Sequence, residues 1–138
     1  MKKILVAHDG SDASDRAFFK AATIAQKFDS ELIVIFAVPN LCFTEIGVDC
    51  NTVNSLYRAE VEGIMSDVVD LMKKKGIEAK TMILEGSPAD VVVDHAKAIA
   101  ADLIVVGSTG KHATERTLLG SVSSKIAANA PCAVLIVK

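Results

Sequence analysis

The 138-residue chain has no apolar run near the roughly 20 residues that a membrane-crossing helix requires, so a helical membrane protein is excluded. Its first apolar stretch, residues 4–7, is interrupted at once by His8 and Asp9. No signal peptide is therefore expected, and the chain is expected to remain in the cytoplasm. Cysteine is scarce: Cys42, Cys50 and Cys132 form neither an even disulfide set nor a pair of CxxC zinc knuckles. Reduced thiols in a reducing compartment are expected, with Cys132 packed in the core. An excess of positive charge is also missing. Fifteen Lys and Arg face seventeen Asp and Glu, and only Lys73, Lys74 and Lys75 are adjacent, a cluster suited to a helix C-terminus. Phosphate-backbone binding needs a basic face, so nucleic acid is not an expected partner. Walker A (GxxxxGK[ST]), GxGxxG and the GxSxG nucleophile elbow do not occur, and no internal repeat is present.

What remains is a globular balance, 51% hydrophobic and 23% charged, over a length suited to one domain spanning residues 1–138 with a single core. Short apolar runs recur at residues 4–7, 32–38, 79–84, 103–106 and 133–137. Most are rich in Val and Ile and continuous rather than alternating, the pattern of strands covered on both faces of a parallel sheet. Between them lie helical stripes. Phe18, Ala21, Ala22, Ala25 and Phe28 form the first, and Val61, Ile64, Met65, Val68, Leu71 and Met72 the second, which stops at Gly76. A third helix starts at Ser87 as cap with Pro88 in its first position and Asp90 in its first turn, and continues through Val92, Ala96 and Ile99. A fourth runs from about Leu118, with Leu119, Val122, Ile126 and Ala130 on one side, and ends before Pro131. Residues 39–53 read as a long irregular segment. Strand and helix thus alternate four times before a closing strand, which predicts an open α/β sheet with helices on both faces.

Ligands of such sheets bind beyond the carboxyl ends of the strands, where strand order reverses. With the first three strands running outward and the fourth returning beside the first, the crevice falls between loops 9–11 and 107–121. From Gly107 to Ser124 the chain reads GSTGKHATERTLLGSVSS. Glycines there permit positive φ and leave no Cβ to obstruct an anion, and the amides opening the next helix point at it. Ser121, Ser123 and Ser124 offer hydroxyls, while Lys111, His112 and Arg116 offer charge. This chemistry suits a polyphosphate. The same glycines would also serve a turn and a helix cap, and Asp9 with Gly10 and Ser11 would equally make an ordinary turn. His8 has no partner at metal-ligand spacing, and His95 reads as a helix-side residue.

Taken whole, the chain resembles a single-domain universal stress protein. The resemblance is carried by KKILVAHDGSDAS, by EGSPAD, by Gly107, two residues, Gly110, nine residues, Gly120 and Ser121, and by PCAVLIV. The spaced glycines are similar to those of the family's ATP-binding branch. The resemblance implies a Rossmann-like, adenine nucleotide alpha hydrolase-like sheet of five parallel strands in the order 3-2-1-4-5, with ATP or another adenine nucleotide in the crevice. It implies that Asp9 meets base or ribose, that the backbone near Val38 meets adenine, and that Ala7, Ile83 and Gly86 line the pocket. Ribose and phosphates would lie against Gly107, Ser108, Gly110, Lys111, Gly120, Ser121, Val122 and Ser123. It also implies a homodimer through the last strand, Ala133–Val137. The chain has Ala113 where the family often has glycine, and Ala133 where it often has proline; the second makes the last strand easier to pair.

Mg²⁺ would arrive with the nucleotide, although Glu85 and Asp90 are carboxylates near the expected pocket. No protein-held metal site and no covalent catalysis are expected. Three readings follow: a nucleotide-binding regulatory module, a slow ATPase on the same site, and a dimeric interaction protein that holds no nucleotide.

Overall fold

The computed structural model describes residues 1–40, 50–109 and 119–138, with the side chain of Cys50 left out. Nine elements alternate in type: β1 (Lys3–His8), α1 (Asp12–Phe28), β2 (Glu31–Val38), α2 (Cys50–Lys75), β3 (Lys80–Glu85), α3 (Pro88–Ile99), β4 (Leu103–Gly107), α4 (Ser121–Asn129) and β5 (Ala133–Val137). The strands form one parallel sheet in the order β3-β2-β1-β4-β5, as the resemblance implies.

Each central strand is apolar on consecutive residues because both of its faces are covered. Ile4 and Val6 of β1, Val34 and Phe36 of β2 and Val105 of β4 pack with Phe18 and Ala21 of α1 and Val68 of α2. Their neighbours Leu5, Ile33, Ile35, Ile104 and Val106 pack on the opposite face with Val92 and Ala96 of α3 and Ile126 of α4. Strand parity therefore decides which helix layer each side chain meets.

Four departures from the sequence pattern lie at helix ends. Phe28, placed on the α1 stripe by its spacing, is 61% exposed. It is the last residue of α1, and the chain turns away at Asp29, whose φ of 53° ends the helix. α2 begins at Cys50, inside the stretch read as irregular. Its first turns carry no periodic apolar face against the core, and Leu56 is 67% exposed, so the usual sequence signal of a helix is missing there. Ser87 does occupy the cap of α3, but its side chain makes no cap hydrogen bond. α4 starts at Ser121, and Leu119, expected on its inner side, lies before the helix and is 41% exposed.

Candidate functional site

β1 and β4 lie side by side at the centre of the sheet, with β2 and β3 beyond one and β5 beyond the other. The reversal of strand order thus opens a crevice above their carboxyl ends. Two connections meet there.

The first is the turn from β1 into α1. The Asp9 carboxylate accepts the Ser11 amide at 2.9 Å, and Gly10 holds a φ of +86° that a side chain rarely adopts. Ser11 caps α1, its Oγ accepting the Ser14 amide at 3.1 Å, and the Ser14 hydroxyl donates back to the Ser11 carbonyl at 2.8 Å. Crowding of the Asp9 carboxyl by this turn would by itself raise its pKa. Hydrogen bonds from Ser11, and next from Ser14, outweigh that effect and hold it below the ordinary carboxyl value. Asp9 is therefore an anion at the mouth of the crevice.

The second connection leaves β4 at Gly107 and returns at α4. Its stems are fastened through the main chain of Ser108, whose N–H donates to the Val137 carbonyl at 2.8 Å. The Ser108 carbonyl in turn accepts the Gly120 amide at 2.6 Å. Ser123 adds its hydroxyl, 3.1 Å from that same carbonyl and 3.0 Å from the carbonyl of Gly120. A serine hydroxyl has one proton, and both acceptors compete for it. Ser123 was expected to offer a donor to a ligand; as the third residue of α4 it instead back-bonds to the cap and fixes the stem.

Gly120 is the N-cap of α4, with φ −69° and ψ 163°, and among the described residues no side chain caps the helix. The opening amides of a helix have no partner within it. In α1 the side chain of Ser11 takes one of them; in α4 the cap has no side chain to do so. Neither Gly107 nor Gly120 uses positive φ. What glycine provides at 107 is contact, because a Cβ there would stand 2.8 Å from the Ala13 carbonyl carbon.

Between these connections lies a pocket of about 140 Å³. Ala7, Ile35 and Val106 form its floor in one row, since the register sets Ile35 and Val106 on either side of Ala7. Ala37, Val92 and Val122 extend the apolar wall. Asp9, Ser11, Thr109 and the start of α4 from Gly120 to Ser123 make the polar end. One end suits a flat apolar ring and the other an anion.

Of the residues expected here, the structure brings together Ala7, Asp9, Gly107, Gly120, Ser121, Val122 and Ser123. Ser108 acts through its backbone as described. Ile83 pairs in register with Phe36 and packs in the α1 and α2 layer, away from the pocket. Val38 and Gly86 meet through a 2.9 Å backbone hydrogen bond at the ends of β2 and β3, and Val38 lines a neighbouring hollow with Arg58 and Glu85. Gly110, Lys111, His112, Ala113 and Arg116 lie outside the described residues, as does Cys42. Thr109 and the row partners Ile35 and Val106 were missed. The signal for Ile35 and Val106 was parity with Ala7, which needs the strand register to be read.

Asp90 pairs with Lys125 at 3.1 Å, tying α3 to α4, and Glu85 lies 3.9 Å from Arg58. Among the described residues no cluster of His, Cys, Asp and Glu could hold a metal ion, and no helix is long and apolar enough to cross a membrane.

The model of the universal stress protein family matches residues 1–138. The chain is 38% identical to the universal stress protein MJ0531 of Methanocaldococcus jannaschii over 139 residues, covering 99% of this chain and 82% of that one. Its fold is similar to that of the universal stress protein UspA from Lactobacillus plantarum, with TM-score 0.80, 27% identity and coverage of 99% and 97%. A universal stress protein in complex with cAMP is also similar, with TM-score 0.76, 29% identity and the same coverage.

Proposed function

The chain belongs to the universal stress protein family, and from that premise we propose that it is a cytoplasmic regulatory module whose occupancy by an adenine nucleotide, ATP foremost, alters its loops or its dimer. The observation that carries this reading is the start of α4, whose Gly120 cap has no side chain, facing an apolar slot at the crevice between β1 and β4. Adenine would lie over Ala7, Ile35 and Val106, ribose near Asp9, and phosphates at the amides of Ser121, Val122 and Ser123. The cAMP complex of a similar protein supports the ligand class.

The described walls enclose less than the several hundred Å³ usual for a whole small-molecule site. They fit the base, the sugar and the first phosphate contacts, and Gly110 and Lys111 are proposed to extend the site. Mg²⁺ would come coordinated by the phosphates, because Asp90 is already engaged by Lys125.

A homodimer through β5 accords with its place at the sheet edge, where it pairs with β4 alone and leaves a run of half-exposed apolar residues. Light scattering after size exclusion tests that state directly.

Calorimetric titration of nucleotide-stripped protein with MgATP, with mass spectrometry of any co-purifying ligand, tests the function. Saturation near one site per chain is expected. Lack of binding together with lack of a co-purifying nucleotide would leave an interaction protein instead.

A further inference from the structure

His8 is buried at the end of β1 and is fully engaged. Its Nδ1 lies 3.1 Å from the Gly10 nitrogen, and its Nε2 lies 2.9 Å from Asp15 Oδ1. A backbone N–H can only donate, so Nδ1 must present a lone pair to Gly10. The ring proton then sits on Nε2 and is donated to Asp15. The geometry thus selects the neutral ring with its proton on Nε2.

Through Gly10 the ring holds the turn that presents Asp9 to the crevice. Gly10 is confined from its other side by Ile64 of α2, whose Cδ1 would be 2.8 Å from a Cβ at that position. Among the described residues, the charged groups around His8 are Asp15 from α1 and Asp9 from its own turn. β2 contributes the Phe36 ring, with centroids 5.5 Å apart, and α1 also contributes the Ser14 hydroxyl at 3.3 Å from Nδ1.

A second proton would attach to Nδ1. The bond to Asp15 survives, because Nε2–H is present in both forms. The bond from Gly10 does not, because two N–H groups would then face each other. Ser14 Oγ donates its proton to the Ser11 carbonyl and accepts from the Asp9 N–H at 3.4 Å and the Ser11 hydroxyl at 3.2 Å, so an Nδ1–H turned on it displaces one of those donors, again at the expense of the turn.

We propose that His8 is a positioning residue for the nucleotide site: its neutral ring holds turn 9–11 through Gly10, and protonation releases that turn and weakens nucleotide binding. The proposal rests on the adenine-nucleotide reading above and adds to it a proton-dependent control.

The test is MgATP titration of the full chain and of His8→Asn at about pH 8 and about pH 5.5. The Asn carboxamide oxygen takes the place of Nδ1 as acceptor but gains no proton. Wild type should lose affinity roughly five- to tenfold toward acid, the scale of one net hydrogen bond, while His8→Asn stays level. Protonation of the nucleotide itself is common to both proteins and cancels in their ratio. In ligand-free wild type, followed by NMR, the Gly10 amide should shift together with the His8 ring, a readout independent of whether the variant folds.

Equal pH slopes in two proteins that both bind would overturn the proposal alone, as would a Gly10 amide indifferent to the His8 ring. Absence of binding by either protein at either pH would remove the nucleotide reading and the proposal with it.

Discussion

A Cβ placed on Gly107 would stand 2.8 Å from the carbonyl carbon of Ala13 and 2.9 Å from its oxygen, so α1 and β4 touch backbone to backbone beneath the crevice. Gly107→Ala must push α1 away from the sheet, since no flexible side-chain end can yield. Overpacking of this kind costs about 1–3 kcal/mol. Urea unfolding should show a lowered midpoint with an unchanged slope. A stable variant that merely lost nucleotide would instead make Gly107 a ligand contact.

Gly120 leads to the opposite pairing of effects. Its φ of −69° and ψ of 163° are the extended geometry that cap residues adopt, so an Asp carboxylate there would compete with a ligand for the opening amides of α4. Gly120→Asp should leave stability level or raise it by a few tenths of a kcal/mol. Nucleotide binding should fall at least tenfold, because the new carboxylate both occupies the donors and repels phosphate. The two quantities are read by thermal unfolding and by MgATP calorimetry. Undiminished affinity would place the phosphates elsewhere.

Asp102 ties the start of β1 to the turn before β4, its Oδ2 accepting the amides of Lys2 at 2.7 Å and Lys3 at 3.0 Å. The bond from Lys3, followed by that from Lys2, holds its pKa below the ordinary value. A depressed folded pKa means that the contribution is complete above the unfolded value, about 3.9, and is lost as pH falls through the folded one. Asp102→Asn should therefore be less stable than wild type at pH 7. The gap in urea midpoint should close as the pH drops from about 5 to below about 3. A gap that is constant with pH would assign the effect to packing.

These residues also show what the chain reveals before it folds. The strands were legible because burial on both faces makes 32–38 and 103–106 continuous apolar runs, and the crevice followed from strand order. Register was not legible. Ile83 was assigned to the pocket, but a period of two turns it toward Phe36 and away from Ala7. Gly107 was singled out for leaving no Cβ in the way of an anion, yet the neighbour such a Cβ would strike is Ala13, on a helix whose approach no local pattern encodes. Ser123 looked like a free hydroxyl until helix geometry directed it to the carbonyls of Ser108 and Gly120. His8 showed no partner at metal-ligand spacing. Its partner Asp15 is seven residues on, and only the entry of α1 brings the two within 2.9 Å.

Asp9 separates recognition of the nucleoside from recognition of phosphate. It stands at the mouth of the pocket, across from the start of α4, so a ribose hydroxyl or base edge is its expected partner. Asp9→Ala should weaken adenosine and MgATP by similar factors, roughly tenfold for a hydrogen bond to a charged group. A loss confined to MgATP would move Asp9 to the phosphates or their metal. Its pH behaviour is distinguishable from that of His8. Because its folded pKa lies below the ordinary carboxyl value, Asp9 stays ionised through mild acid and protonates only as pH falls below about 4. A decline in affinity between about pH 8 and about pH 5.5 that persists in Asp9→Ala therefore belongs to another group. A decline abolished in Asp9→Ala but retained in His8→Asn would make Asp9, and not the histidine behind it, the origin of the pH response.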